Sequence, residues 1–295
     1  MTSANDLHLY ERRGDYIPRV AAVHDLCGYG KCSLGVAIPV LSAAGCDVCP
    51  VPTGLFSSHT AFPGWYMHDT TSIMEDYTNA WKGIEVEIDA VYSGFLGAPE
   101  QVDRIRDLYA TYPNALRVVD PVMADHGKVY PTYTPELCDA MAELAAGADI
   151  LTPNLTEAAI ILGEPIGDDW CGTDISDAEA ARMIDALVAK GAKHVVLKGI
   201  QREGESVIRN FVGGVDCDMF EAANEYLPYM LHGTGDLYCS CLMAAVMAGR
   251  SLHDAVVFAG DFTHDAMIVS AKQPDFKNRG VSFEPLLGKV AELLG

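Results

Sequence analysis

The chain has 295 residues, 49% hydrophobic and 21% charged. This balance excludes a disordered or fibrous protein and allows a sizeable core without staples. Lys and Arg total 20 against 41 Asp and Glu, for a net charge of −21. With no basic run to release counterions, the chain is expected to bind neither nucleic acid nor an anionic membrane surface. Strand-like and helix-like segments then alternate. Arg19–Val23 is a short apolar run, followed by a glycine-rich turn and a helical stretch from Cys32 to Ala44. Val48–Pro52 is strand-like. Ala90–Leu96 and Leu116–Met123 read as buried strands with a helix, Ala98–Tyr112, between them. Pro135–Ala146 is helical, Asp149–Thr152 a strand and Leu155–Leu162 a helix. Ser176–Lys190 is an amphipathic helix opened by a capping-box pattern, Ser176 with Glu179. His194–Leu197 is a strand, Ser206–Asn224 reads as two or three antiparallel strands, and the chain is mostly helical from Gly235.

Such alternation predicts an α/β protein with a largely parallel sheet covered on both faces. The longest irregular stretch, Ser57–Thr71, holds Pro63-Gly64 beside Phe62, Trp65 and Tyr66. It reads equally as a substrate lid or as a surface loop pinned by its aromatics. The nine cysteines are odd in number and irregularly spaced, and Met1–Asp15 lacks an apolar secretion segment. Reduced thiols and a cytoplasmic location are expected. Cys46 and Cys49 have C-x-x-C spacing without a second pair, so they read as structural rather than zinc-binding. Cys239 and Cys241 read as core packing. The longest nearly uncharged stretch, between Lys31 and Asp47, is shorter than the roughly 20 residues a membrane helix needs.

In open α/β sheets ligands bind beyond the carboxyl ends of the strands. The polar residues following each apolar run are His24-Asp25 with Gly28 and Gly30, Ser93-Gly94-Phe95, Asp120 and Asp125, Thr152-Pro153-Asn154 with Glu157, Lys198-Gly199, and His232 to Asp236. The Walker A pattern fails, because Gly30-Lys31 leads to Cys32 and Asp25 stands where the first glycine belongs. The dinucleotide fingerprint fails at both candidate turns, where Ser33 and Tyr238 replace the third glycine.

Gly233-Thr234-Gly235-Asp236 is the sharpest local signal. A glycine turn opening a helix aims free backbone N–H groups at one spot, an anion hole. Asp236 beside it can take a proton from an attacking alcohol if the anion is a transferring phosphoryl group. The competing reading is a first-turn carboxylate that only offsets the helix dipole. Asp120 and Asp125 are two carboxylates at one strand end, and with Glu157 they can hold Mg²⁺ through water or face solvent. Asn154 and Glu157 alone read as a capping box. Lys198 is one of few cations on hand for an anionic ligand, and Lys31 is another. His59, Thr60 and Phe95 can line a pocket for a flat heteroaromatic ring, or can be ordinary core and loop residues.

Taken in order, V-H-D-L-C-G-Y-G at 23–30, F-S-S-H-T at 56–60, Y-S-G-F at 92–95, V-D-P-V-M-A-D at 119–125, L-T-P-N-L-T-E at 151–157, V-L-K-G at 196–199 and H-G-T-G-D at 232–236 resemble the ribokinase-like superfamily. The branch is that of pyridoxal and hydroxymethylpyrimidine kinases, and F-S-S-H-T points to the vitamin B6 kinases. The resemblance covers roughly residues 19–265. It implies one three-layer α/β/α domain over residues 1–295, with 1–18 as an N-terminal extension, a central mostly parallel sheet, and a homodimer. It implies ATP-dependent phosphorylation of the 5′-hydroxymethyl of pyridoxal, pyridoxine or pyridoxamine, with Mg²⁺ and a monovalent cation such as K⁺. A hydroxymethylpyrimidine kinase is the alternative. By position, Asp236 would be the base, with Gly233, Thr234 and Gly235 as the anion hole. Asp125 and Glu157 would support Mg²⁺. Asp120 and Thr152 would lie near the monovalent cation and the phosphates, and Asn154 and Lys198 would face nucleotide phosphate. Asp25, His59, Thr60 and Phe95 would surround the vitamin ring. Some positions depart from the pattern. His24-Asp25 replaces a common Ser or Gln-Ser, Ala124 a Gly, and Phe95 a Tyr. Lys198-Gly199 and His232 are similar to hydroxymethylpyrimidine kinases, whereas Asp236 stands where many of those have Cys.

Overall fold

The computed structural model describes residues 7–166 and 174–295. In chain order the elements are β1 (Arg19–Cys27), α1 (Leu34–Ala43), β2 (Asp47–Phe56), β3 (Met67–Asp69), α2 (Thr71–Gly83), β4 (Ala90–Ser93), α3 (Pro99–Thr111), β5 (Leu116–Val119), β6 (Ala124–Asp125), β7 (Lys128–Val129) and α4 (Pro135–Ala145). They continue with β8 (Ile150–Leu151), α5 (Leu155–Leu162), α6 (Asp177–Ala189), β9 (His194–Gln201), β10 (Val207–Gly214), β11 (Cys217–Glu225), α7 (Thr234–Met247), α8 (Leu252–Ala271), α9 (Phe276–Arg279) and α10 (Leu287–Ala291). Nine strands form one sheet in the order β11-β10-β9-β8-β5-β4-β1-β2-β3. The six from β9 to β2 run parallel, and antiparallel strands close both edges.

Successive side chains of a strand point to opposite faces, and that alternation divides the interior into two layers. Val23, Val91, Val119, Leu151 and Leu197 face a core completed by Ile105, Leu137, Met141, Leu155 and Leu187 of α3 to α6. Their neighbours Val20, Tyr92, Val118, Ile150 and Val196 face a second core completed by Val40, Leu242, Val256 and Phe262 of α1, α7 and α8. This is the expected three-layer arrangement. Helix α7 is buried on all sides from Asp236 to Met247, which is why its sequence shows no polar stripe. Cys239 and Cys241 are buried within it, and the eight cysteines among the described residues are all free. No helix among the described residues is long and apolar enough to cross a membrane.

Of the expected N-terminal extension, residues 1–6 lie outside the described residues. The rest is tied down: the Arg12 guanidinium donates to the carbonyls of Ala44 and Gly45, both at 3.1 Å.

Several elements differ from the sequence reading. Ser57–Thr71 is not irregular throughout, because Met67–Asp69 pairs with Gly54–Phe56 as the edge strand β3. Three residues are too few for alternation to show. Helix α2 was passed over in the sequence although Ile73, Tyr77 and Trp81 recur along it at four-residue spacing; it buries only Met74 and Thr78, with Trp81 packed at the edge of the core. Ser176 accepts from the Glu179 N–H as expected, but the box is half-formed. The Glu179 carboxylate turns instead to Arg182, at 2.7 and 2.9 Å.

Gln101, fully buried on α3, fastens the strand edge below the site. Its Oε1 accepts from the Gly97 N–H, and its Nε2 donates to the Thr53 carbonyl and the Thr71 hydroxyl, each at 2.8 Å. Gln101→Leu removes all three bonds and leaves backbone groups unpaired in a dry place. It is expected to cost about 2–4 kcal/mol, read as a lower urea midpoint; an unchanged midpoint would rule out the clamp.

Candidate active site

The parallel strands end on one edge of the sheet, and that edge gathers the polar residues. Strand β1 delivers His24 and Asp25, β4 leads to Phe95, β5 to Asp120, β8 to Thr152 and Asn154, and β9 carries Lys198. Opposite them stands the start of α7. Its N-cap, Gly233, has φ +82°, and a Cβ there would lie 1.6 Å from the Lys31 carbonyl oxygen. Only glycine allows both that conformation and that approach. The contact presses the turn after β1 against the first turn of α7.

Asp236 sits in that first turn, 8% exposed. The Ser33 backbone N–H donates to its carboxylate, and Oδ1 has no partner. Burial, then the charges of Asp120 and Asp25, push its pKa up to about 7. Ser33 is the N-cap of α1 and holds φ +51° without being glycine. Strained backbone of this kind concentrates at functional sites. Its hydroxyl donates to Asp25, whose pKa burial raises to about 6.

Lys198 Nζ donates to Asp120 Oδ1 at 2.5 Å, with the two side chains 12% and 1% exposed. The Thr152 hydroxyl donates to the same oxygen at 3.0 Å, and Cys239 Sγ lies 3.4 Å from that hydroxyl. Asp120 Oδ2 has no partner. Burial alone would discharge Lys198, but the neighbouring carboxylates, Asp120 first, outweigh it and keep the ammonium charged. The ammonium also reaches α7, lying 3.7 Å from where a Cβ on Gly235 would be.

Asn154 and Glu157 form the capping box of α5. Asn154 Nδ2 also donates to the Ala124 carbonyl at 2.8 Å. Both Glu157 oxygens accept backbone N–H groups, from Met123 at 3.3 Å and Asn154 at 2.8 Å. Burial raises the Glu157 pKa to about 8 against the pull of Lys198. Asp125 lies in the β6–β7 hairpin with its side chain 41% exposed. Among the described residues no three His, Cys, Asp or Glu side chains converge as a metal cage. A donor set this open suits a cation carried by substrate phosphates and water, with one carboxylate in reach.

His59 is buried and stacks on His232 at 4.1 Å between ring centroids. Its Nε2 contacts the Asn278 carbonyl at 3.0 Å, and Nδ1 has no partner. Thr60 beside it is exposed. Phe95 meets Phe56 and Tyr133 edge-on and belongs to the apolar core. Lys31 turns away from the site to pair with Glu284, so it is not the second cation there. Sequence reasoning missed the linking roles of Ser33, Cys239 and His232, and the carbonyl supplied by Asn278. Ser33 gave a signal as the residue that spoiled a phosphate fingerprint, and His232 as a strand-end polar residue, but neither showed what it would link.

Fold and site together define a small-molecule kinase of the ribokinase-like kind: a glycine-opened helix start with a buried carboxyl in it, facing a buried lysine across the strand ends. Residues 39–280 match the model of the phosphomethylpyrimidine kinase family, and the chain belongs to that family. It is 28% identical over 277 residues to the pyridoxal kinase PdxY of Pasteurella multocida, covering 84% of this chain and 88% of that one. Among solved structures, a Bacteroides thetaiotaomicron protein assigned to the phosphomethylpyrimidine kinases, crystallised with pyridoxal, superposes with a TM-score of 0.87 at 33% identity, covering 93% of this chain and 96% of that one. The pyridoxal kinase of Lactobacillus plantarum superposes with a TM-score of 0.84 at 27% identity, covering 94% and 98%.

Proposed function

We propose that this protein transfers the γ-phosphoryl group of ATP to the 5′-hydroxymethyl of pyridoxal, pyridoxine or pyridoxamine. The observation that carries the reading is Asp236: a buried carboxyl with a free Oδ1 and a pKa near 7, set in the first turn of α7. A general base works best with its pKa close to the working pH. Asp236 takes the hydroxyl proton as the new O–P bond forms and the bond from the γ-phosphorus to the bridging oxygen of ADP breaks. The backbone N–H groups at Gly233, Thr234 and Gly235 stabilise the charge on the transferring group, aided by the helix dipole. Lys198 and Thr152 meet nucleotide phosphate, and Asn154 shapes that wall through its cap. When bound, Mg²⁺ neutralises phosphate charge; Asp125 would hold it, with Glu157 acting through water. Asp25, His59, Thr60 and Phe95 surround the ring, where the free Nδ1 of His59 offers a hydrogen bond. The working unit is one kinase domain, as a homodimer in the cytoplasm.

Hydroxymethylpyrimidine is the second reading, favoured by Lys198-Gly199 and His232. Asp236, standing where many pyrimidine kinases have Cys, and the pyridoxal-related relatives support the vitamin. The test is ATP consumption with pyridoxal, pyridoxine, pyridoxamine and hydroxymethylpyrimidine in turn. Turnover with a B6 vitamer is expected; turnover with the pyrimidine alone overturns the substrate and keeps the kinase.

A further inference from the structure

We infer that Lys198 supplies, as a tethered ammonium, the positive charge for which the resemblance brings in a monovalent cation, so that this kinase works without K⁺. The inference rests on the kinase reading above. The resemblance implies K⁺ beside Asp120 and Thr152, and the residues here do not fit it.

The ammonium is already on Asp120 Oδ1 at 2.5 Å. That oxygen also accepts from the Thr152 hydroxyl at 3.0 Å, so Asp120 Oδ1 and the Thr152 hydroxyl are engaged in a protein network, which leaves Asp120 Oδ2 as the unpartnered oxygen beside the ammonium. The pair is almost fully buried, with side chains 12% and 1% exposed. A second cation at this place would sit beside an ammonium with little water to screen it, and like charges repel strongly there. The Asp120 carboxylate in contact with it keeps Lys198 protonated despite burial. The ammonium also lies where a cation is useful, 3.7 Å from a Cβ position on Gly235, against the anion-binding turn of α7. A tethered charge is in place before ATP arrives, so no ion has to be captured with each turnover.

The test uses the full chain with MgADP and pyridoxal in KCl, NaCl or tetramethylammonium chloride at matched ionic strength, so that general screening is constant. The wild-type thermal midpoint is expected to be the same in all three salts, and turnover with MgATP to agree within about twofold. Lys198→Thr is expected to lose at least about tenfold in turnover in tetramethylammonium, because Asp120 is left as a buried unpaired charge. That variant is expected to regain activity and thermal midpoint specifically with K⁺. A wild-type midpoint that rises with K⁺ alone, or wild-type turnover activated by K⁺ more than about fivefold beyond the common screening effect, overturns the inference. The wild-type salt series decides the matter even if the variant does not fold. Failure of the kinase reading looks different: no turnover with any vitamer in any salt, while the midpoints still report whether K⁺ binds.

Discussion

Asp236→Asn is expected to lower kcat by roughly 10³-fold while leaving the affinity for ATP within about twofold, the pattern of a lost general base. The substitution keeps shape and backbone but removes the proton acceptor proposed for the vitamin hydroxyl. It is expected at the same time to raise the thermal midpoint at slightly alkaline pH. Asp236 is buried, its Oδ1 lacks a partner, and Asp120 and Asp25 lie close enough to raise its pKa. A charge held there costs stability, and a neutral amide avoids that cost. A merely structural first-turn carboxylate would do the opposite on both counts: Asn would cost a little stability and leave turnover intact. Steady-state kinetics with pyridoxal together with a melting curve separate the two, and retained turnover would exclude Asp236 as the base.

The same carboxyl sets the pH dependence. Turnover per substrate encounter should rise through about pH 7 as Asp236 loses its proton. Stability should run the other way. Asp25, Asp236 and Glu157 have folded pKa values of about 6, 7 and 8. The unfolded chain releases those protons near pH 4. The folded state therefore binds more protons than the unfolded one from about pH 4 to 8, and stability falls as pH rises through that window. His24 acts in the opposite sense, since burial lowers its pKa to about 3. Its contribution grows up to about pH 6.5 and is constant above. The ligand-free protein should thus melt at a lower temperature at about pH 8 than at about pH 6.5, and Asp236→Asn should make that fall shallower.

The layered α/β architecture was legible because each central strand is a short apolar run buried on both faces, and because glycine and polar residues mark each strand end. The site could be located for the same reason: the strand-end rule collects Asp25, Asp120, Thr152, Asn154 and Lys198 on one edge. What the sequence withheld depends on distance along the chain. Nothing in Asp120 or Lys198 alone announces a buried ion pair between positions 78 residues apart. Nothing near Asn278 signals that its carbonyl meets His59 across 219 residues. Asn154 and Glu157 show the reverse case, where the local reading as a capping box holds and fixes what else their side chains can do. The edge strand β3 was invisible because three residues are too few to leave a period, whereas helix α2 did carry one, in Ile73, Tyr77 and Trp81, and was overlooked.

Gly233→Ala should separate two glycines that look equivalent in the motif. At Gly233 the backbone is left-handed, and an added Cβ would meet the Lys31 carbonyl oxygen at 1.6 Å and its carbon at 2.7 Å. Both are backbone atoms, so no rotamer change relieves the clash. The left-handed conformation alone costs an alanine about 1–2 kcal/mol, and the displaced turn adds to that. The turn also carries Ser33, whose N–H donates to Asp236, so moving it disturbs the proposed base and the proposed anion hole together. A stability loss of about 2–4 kcal/mol and a drop in kcat/KM above about 10²-fold are expected. Gly235 is outside the left-handed region, and the nearest atom to its Cβ position is the flexible end of Lys198 at 3.7 Å. Gly235→Ala should therefore keep the wild-type urea midpoint, since an added methyl would make only an ordinary contact with Lys198. Equal midpoints for the two variants would show that contact with Lys31 does not hold the turn against α7.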